Sequence, residues 1–377
     1  MEAHELVFAG VILARFLVPL LIPVYPLPGI LAALLLDASD RAIFAQFVEV
    51  DVERYQRYDK ALDIYYLSLA YVATLRNWSS RTARRVAAGL WYIRLVGVAL
   101  FEVTGVRWLL FIFPNAFEYF FIAYEAVRLR WDPARLRLRH LLAMAAGIWV
   151  FLKLPQEYWV HVAQRDTTDF IKVEVVGAPL EMPWVRVVVE YPWVPAAALG
   201  LALLLWLGGR GLLQLLPDPD RRASFHADAH PDRPPGSELE GRARPPLTPG
   251  WLGVVEQVTL VVLMTTIFTG LLPGWEARPL AVALGAAVFV AVNAGVSVTL
   301  GRRGARWRGA ALELALMAVV NLGLVMTFAV LARRIGVDFP LGMMLFFAAL
   351  FTLIITLHDR YRALWRWWDE GRGSPTT

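Results

Sequence analysis

The most informative part of this chain is "GILAALLLDASDRAIFAQFVEVDVERYQRYDKALDIYYLSLAYVATL", residues 29–75. It consists of two apolar runs joined by a polar stretch, and each run carries a pair of acidic side chains near the junction. The pairs are Asp37 with Asp40, and Asp59 with Asp63. Apolar runs of this kind are typical of membrane-spanning helices. The stretch therefore raises the question of why four carboxylates lie at or inside the ends of two such helices.

The composition of the whole chain indicates a polytopic membrane protein. Of its 377 residues, 58% are hydrophobic and 18% are charged, and the mean hydropathy is +0.51. This is too apolar for a soluble domain, and the length allows about eleven spans of roughly 20 residues, with ten to twelve as the range. We therefore predict an all-α, multi-pass protein of the cell membrane, of the inner-membrane type.

Several classes of chemistry are excluded by residue content. The chain has no cysteine, which removes disulfides, thiolate metal sites and cysteine nucleophiles. It contains no phosphate-binding loop, no GxSxG elbow and no HExxH motif. The net charge of +5 is carried mainly by arginines in loops. We interpret it as a determinant of topology and of contact with membrane lipids, and not as a nucleic-acid footprint.

The distribution of apolar and polar stretches predicts two membrane modules, at 1–216 and 251–358. In the first module, β-branched runs predict a small strand pair within a polar loop at 155–193. The stretch 217–250 is rich in Pro, Asp and Arg, which predicts a disordered linker. The second module, of four helices, is predicted to be scaffold, or a surface for a homo-oligomer or a protein partner. Residues 359–377 are predicted to form an amphipathic tail in the headgroup layer.

Arginine-rich loops predict the orientation of the spans. With eleven spans, the positive-inside rule puts the C-terminus in the cytoplasm and the 155–193 loop outside the cell. The same rule puts the turn at 49–61 outside.

The aspartate spacing predicts a cation site. Asp37 and Asp40 are three residues apart and share one helix face, and Asp59 and Asp63 are four apart and share another. If the two helices are antiparallel neighbours, the four carboxylates converge, and they then need a cation such as Mg²⁺ or Mn²⁺. Alternatively, the second pair lies at a solvated helix start, and the first pair forms ion pairs with Arg15 or Arg41.

The pattern D-x2-D, eighteen residues, D-x3-D resembles the acidic skeleton of the CDP-alcohol phosphatidyltransferases. The preceding "ARFLVPL", with Arg15 and Pro19, is similar to the first helix of that family, and the resemblance covers about residues 15–75. Arg41, the Phe44-Ala45 pair and Tyr55 stand where the family has the residues that cradle the CDP group. The family's site also faces the cytoplasm, unlike the turn predicted here.

This resemblance implies a role for each aspartate. Asp37, Asp40 and Asp59 would hold a divalent metal ion, Mg²⁺ or Mn²⁺. Asp63 would be the base that deprotonates the attacking alcohol.

Other charged residues within apolar segments offer a path for ions or protons. Glu118 and Glu125 are seven residues apart on one helix face, and Arg94 and Glu102 lie on the preceding helix. They are interpreted as a relay, as a second polar wall of the acidic cavity, or as ion pairs that lock helices together. The full set that the sequence offers is Arg15, Arg41, Arg94, Glu102, Glu118 and Glu125.

A further candidate site lies at the start of the polar loop. Glu157 and His161 are four residues apart and are followed by Asp166, and a helical E-x3-H pair can bind a metal ion. The alternative is that the histidine is an interfacial residue without a ligand.

Three functions remain open on the sequence. The first is a membrane-embedded, divalent-metal-dependent transferase acting on a lipid or lipid-linked phosphate. The second is an ion- or proton-coupled transporter that uses the same acids. The third is a non-catalytic membrane scaffold.

Overall fold

The structure is a computed structural model that describes residues 3–47, 52–165, 167–229, 251–272, 279–302, 308–334, 336 and 340–371. Throughout these ranges the ordered elements are helices, and no strand is formed there. The all-α class predicted from the composition is therefore confirmed for this part of the chain.

Fifteen α-helices are formed by the described residues. In order, they are α1 (Ala3–Leu17), α2 (Pro26–Phe47), α3 (Val52–Asn77), α4 (Arg81–Thr104), α5 (Trp108–Ile112), α6 (Ala116–Arg130), α7 (Leu138–Gly147), α8 (Leu154–Glu157), α9 (Thr167–Phe170), α10 (Trp184–Glu190), α11 (Trp193–Leu215), α12 (Trp251–Gly270), α13 (Pro279–Arg302), α14 (Arg308–Arg334) and α15 (Leu341–Gly371). A 3-10 turn at Val18–Leu21 follows α1, and π-helical turns at Ile148–Lys153 and Tyr158–Val162 flank α8.

Six helical stretches in the described residues are long and apolar enough to cross a bilayer. They are Arg81–Thr104, Trp108–Arg130, Leu138–Val162, Trp193–Gly211, Leu314–Arg334 and Leu341–Arg362. Shorter apolar helices occur at Leu6–Leu21, Val255–Gly270 and Leu284–Val296. These helices fit a multi-pass membrane protein, while the total of about eleven spans and their orientation stay predictions.

Helix α3 is the centre of the first module. From Ala61 to Leu75 every residue is buried except Asp63, whose side chain is 40% exposed. A helix that is apolar on all sides is expected to be surrounded by protein, and α1, α2, α4, α6 and α15 all pack against α3. The single break in its burial is one of the predicted site residues.

The two membrane modules pack directly on each other, because α15 runs along α3 and α12 along α4. The rings of Tyr58 and Phe346 are 5.2 Å apart at this contact. Residues 372–377 of the predicted tail lie outside the described residues, and residues 359–371 are instead the continuation of α15. Its Trp365 is buried against the first module, and the indole Nε1 donates to the carbonyl of Trp78 at 3.3 Å. Burial of this indole explains why the helix continues past the apolar span.

The linker prediction requires correction for its first part, residues 217–229. Two backbone hydrogen bonds reach the carbonyl of Arg130, from Asp220 at 2.9 Å and Arg221 at 3.3 Å, and Ala227 donates to the carbonyl of Val24 at 2.8 Å. These bonds satisfy polar backbone groups without requiring an apolar core. Residues 230–250 lie outside the described residues.

The strand pair predicted for 155–193 is wrong, since the described residues of this loop form α9, α10 and a π-helical turn at Ile171–Val175. A helix satisfies its backbone hydrogen bonds within one segment, so these residues need no partner strand. The β-branched content was a weak guide, because strand propensity depends on context.

Candidate functional site

Four aspartates converge on the guanidinium of Arg15. Its Nη2 donates to Oδ1 of Asp37 at 2.5 Å and to Oδ1 of Asp63 at 2.7 Å. Its Nη1 contacts Oδ2 of Asp40 and Oδ1 of Asp59. The predicted convergence of both aspartate pairs is therefore present in the structure, and Arg15 lies at its centre. We call these five side chains the aspartate cluster.

Local sequence explains how Arg15 reaches the aspartates. The α-helical part of α1 ends at Leu17, and Pro19 begins the tighter turn that follows. At this point the Tyr65 hydroxyl donates to the carbonyl of Phe16 at 3.0 Å, and the two rings stack at 5.4 Å. Because Arg15 lies one residue before Phe16, these contacts fix the end of α1 beside α3.

Burial distinguishes the four carboxylates. The side chains of Arg15 and Asp40 are each 3% exposed, whereas those of Asp37 and Asp59 are 30% and 31% exposed. Asp63 is the most exposed, at 40%. One side of the aspartate cluster is thus closed around Asp40, and the other is open through the remaining three carboxylates.

The cluster is rich in negative charge. Four carboxylates share one guanidinium, so within this group of five the fully ionised state has a surplus of three negative charges. Carboxylates held this close together repel one another. The arrangement therefore favours binding of a further cation or of protons.

The oxygen donors fit a hard divalent cation. Asp37, Asp59 and Asp63 each offer one carboxylate oxygen, and the three oxygens lie within 4.8 Å of one another. Ligands on opposite sides of a cation are about 4.2 Å apart for Mg²⁺ and about 4.8 Å apart for Ca²⁺. A small decrease in the distances between the three oxygens would therefore suit Mg²⁺. Asp63 belongs to this set, while Asp40, predicted from the sequence as a metal ligand, lies outside it.

A second polar group lies beside the cluster, around Glu118. The Tyr66 hydroxyl donates to Glu118 Oε1 at 2.7 Å, and Asn115 Nδ2 donates to Oε2 at 2.9 Å. Lys153 Nζ lies 3.4 Å from the same Oε2. Tyr66 lies three residues after Asp63 on α3, one helical turn from the aspartate cluster. That Glu118 forms a second polar wall of an acidic cavity stays a prediction.

Glu157 extends this second group. Its Oε1 accepts from the backbone N–H of Asn115 at 3.2 Å and lies 3.9 Å from Arg94 Nη1, and its Oε2 lies 2.9 Å from His161 Nε2. The predicted Glu157–His161 pair is therefore formed, but the glutamate is buried and faces other side chains. Asp166 lies outside the described residues, and no metal-binding group that includes Glu157 is found among the residues described.

The remaining predicted relay residues lie in separate places. Glu125 accepts from Arg128 Nη1 through both carboxylate oxygens, each at 2.9 Å, and from Trp78 Nε1 at 2.5 Å. Glu102 pairs with Lys60 at 3.2 Å. Seven residues of helix span about 10 Å, which is why Glu125 shares a face with Glu118 but none of its partners. Glu102 and Glu125 are thus separate from the group around Glu118 in the described part of the chain.

Arg41 lies on α2, and its side chain is not among those described. The alternative predicted from the sequence was that Asp37 and Asp40 form ion pairs with Arg15 or Arg41. Arg15 contacts both of these aspartates.

The chain was compared with known proteins of three kinds. No protein-family model, curated protein or solved structure matches it. The two polar groups are therefore the features of this chain that bear on its function. Its resemblance to the phosphatidyltransferases consists of the aspartate spacing.

Sequence reasoning missed several members of the second group. Lys153 is one of three lysines in the chain and lies in an apolar segment, which is a signal that could have identified it. Tyr66 was recognisable as a residue one helical turn from Asp63. Asn115 had no such signal, because its role depends on the break between α5 and α6.

Proposed function

We propose that this chain is a membrane-embedded, divalent-metal-dependent transferase that acts on a lipid or lipid-linked phosphate. The observation that carries the proposal is the close approach of three carboxylate oxygens, from Asp37, Asp59 and Asp63, on two neighbouring helices. A carboxylate set of this kind suits Mg²⁺ or Mn²⁺. A divalent cation bound there would neutralise charge on a phosphate.

Arg15 has a specific place in this proposal. It bonds to Asp37 and Asp63 through Nη2 and to Asp40 through Nη1. A metal ion held by Asp37, Asp59 and Asp63 would compete with both contacts of Nη2 and with the contact of Nη1 to Asp59, whereas the contact of Nη1 with buried Asp40 would remain. Nη2 would then be free to donate to a phosphate oxygen, as arginine commonly does.

Asp63 is the proposed base. It is the most exposed of the four aspartates, which supports a position toward substrate. In the transfer step the alcohol oxygen attacks phosphorus, and a new O–P bond forms as the bond from phosphorus to the leaving oxygen breaks. The leaving group keeps that electron pair, and the alcohol proton passes to the carboxylate of Asp63.

The experiment that tests the metal site is titration of Mn²⁺ against the purified protein in phosphatidylcholine nanodiscs, followed by electron paramagnetic resonance. We expect Asp59→Asn to weaken binding at least tenfold, since loss of one ligand and one charge costs more than about 1.4 kcal/mol. Glu181→Gln, an exposed acid on the 155–193 loop, is the matched control. Absence of Mn²⁺ binding, or equal binding by Asp59→Asn, contradicts the proposal.

Turnover is tested in the same nanodiscs with a cytidine-linked lipid donor and an alcohol acceptor. Asp63→Asn is expected to abolish transfer even at Mn²⁺ concentrations that saturate the variant. Because Asp63 is one of the three approaching carboxylates, this substitution is also expected to weaken Mn²⁺ binding. Transfer that continues in Asp63→Asn would remove this residue from the role of base.

A second candidate function, proton- or ion-coupled transport, is favoured by one observation. Tyr66, one helical turn after Asp63, donates to Glu118, and Glu118 contacts Lys153, so titratable groups continue beyond the cluster. Under this proposal, Glu118→Gln changes ion-driven flux in proteoliposomes, and Glu181→Gln does not. Flux that is identical in wild type, Glu118→Gln and protein-free vesicles would eliminate transport through these groups.

A further inference from the structure

The segment between α7 and α11 is a small folded unit with its own core. Val176, Ala178 and Val187 are buried together, and Trp184 and Tyr191 pack against them. The unit consists of α9 with its π-helical continuation, a reversal, and α10. It lies outside the candidate spans that end at 162 and begin at 193.

Specific polar contacts fix the shape of this unit. Lys172 Nζ donates to the carbonyl of Leu180 at 3.1 Å and lies 5.2 Å from the centre of the Trp184 ring. The chain reverses at Gly177, whose φ of 77° is readily adopted only by glycine. The Tyr191 hydroxyl approaches the Gly177 carbonyl at 3.5 Å. The exposure of side chains on this unit is therefore a property of a folded surface.

One face of α10 is apolar and exposed. Val185, Val188 and Val189 lie at positions i, i+3 and i+4, which share a helix face, and they are 60%, 44% and 73% exposed. Val187 faces the small core and is fully buried. Arg186 is exposed on another side of the helix. Helix α10 is thus amphipathic, with an apolar face that no described residue covers.

The unit that carries the apolar face lies between two candidate membrane spans. Trp193, three residues after α10, is 47% exposed, and in the α11 span that follows no residue is buried within the protein. On the other side of the unit, Tyr158 near the end of the α7 span is also exposed. Tryptophan and tyrosine are enriched at the boundary between headgroups and acyl chains. The unit is therefore flanked by aromatic residues typical of that boundary.

We propose that α10 docks on the lipid bilayer, with Val185, Val188 and Val189 in the boundary between headgroups and acyl chains. Arg186 then faces the headgroups and water, as the polar face of an interfacial helix does. This surface differs from the extramembrane loop predicted at 155–193, and it does not depend on the aspartate cluster or on the proposed transferase activity.

The test uses nitroxide labels on single cysteines, which the absence of native cysteine makes selective. Full-length Val189→Cys and Val185→Cys are labelled and reconstituted in vesicles of phosphatidylcholine and phosphatidylglycerol, with Arg186→Cys as the control on the same helix. Collision of the label with oxygen, which concentrates in lipid, is compared with collision with a water-soluble nickel chelate. We expect oxygen to dominate at both valine positions and nickel to dominate at Arg186.

Two results would overturn the proposal. If nickel dominates at Val189 and Val185, the face lies in water. If the labels are shielded from both reagents, the face is covered by a protein surface such as a second copy of the chain. The two valine positions serve as replicates, so that loss of folding in one variant leaves the other to decide.

Discussion

The Nη2 atom of Arg15 lies 2.7 Å from Oδ1 of Asp63, a residue 48 positions further along the chain. Through this contact the end of α1 is joined to the middle of α3, the most buried helix of the first module. The same guanidinium also contacts Asp37, Asp40 and Asp59. One arginine thereby neutralises part of the charge that two helices would otherwise bring together.

Replacement of that arginine is expected to destabilise the first module strongly. Arg15→Gln leaves four aspartates without their shared cation, and breaking a buried ion pair by removing one partner costs about 3–5 kcal/mol. The measurement is unfolding in mixed micelles of increasing denaturing detergent, with exposed Arg186→Gln as control. Addition of Mn²⁺ should stabilise Arg15→Gln more than wild type, because the metal ion no longer competes with the guanidinium. Equal stability of Arg15→Gln and wild type would contradict this account.

The hydrogen bond between Tyr66 and Glu118 predicts that these two residues are energetically coupled. The hydroxyl donates to a buried carboxylate at 2.7 Å, and hydrogen bonds to charged groups contribute about 1.5–3 kcal/mol. A double-mutant cycle of Tyr66→Phe and Glu118→Gln should give a coupling energy of about 0.5–3 kcal/mol. The matched cycle with Glu125→Gln should be additive, since Glu125 has other partners. Coupling of similar size in both cycles would contradict a specific hydrogen bond between Tyr66 and Glu118.

Two glycines of α4 are expected to respond oppositely to alanine. A Cβ at Gly97 would overlap the Cβ of Phe113, whereas nothing lies within 4 Å of one at Gly89. Gly97→Ala should therefore destabilise the protein by about 1–3 kcal/mol through overpacking. Gly89→Ala should stabilise it by up to about 1 kcal/mol, because alanine favours helix. Thermal unfolding in detergent compares the two, and a stabilising Gly97→Ala would show that Phe113 lies elsewhere.

The attachment of residues 217–229 predicts protection from protease. Trp131 Nε1 donates to the carbonyl of Pro217 at 3.0 Å, and Arg221 donates through its side chain to the carbonyl of Trp131 at 2.8 Å. Trp131→Phe loses one hydrogen bond of about 1 kcal/mol, which should increase trypsin cleavage after Arg221 about fivefold. Trp206→Phe, at an exposed position on α11, should leave that rate unchanged. Rapid cleavage in wild type would show that the attachment does not persist in solution.

The aspartate cluster shows how far sequence reasoning reached. The three- and four-residue spacings determined that each aspartate pair lies on one helix face, because helical geometry is local. The spacing did not determine which cation the pairs hold. That depended on the packing of α1 against α3, through Phe16 and Tyr65, which are separated by 49 positions.

Fewer contacts of the second polar group could be predicted from the sequence. Glu118 was identified because a charge within an apolar run is unusual, and such a charge is recognisable without a structure. Its partners Asn115 and Lys153 come from different helical stretches, and only the tertiary structure decides which of many polar residues meet.

The sequence by itself determined that the spans of this chain are helices, and the six long apolar helices of the described residues fit a multi-pass membrane protein. This follows from hydropathy and from the need of a backbone in lipid to satisfy its own hydrogen bonds. The tertiary structure decided that the aspartates surround Arg15, that residues 217–229 are attached to the first module, and that α10 exposes a valine face. The first two features depend on contacts between residues that are distant in sequence. The third depends on which side of a short helix is covered by the rest of the protein. Local composition determines none of the three.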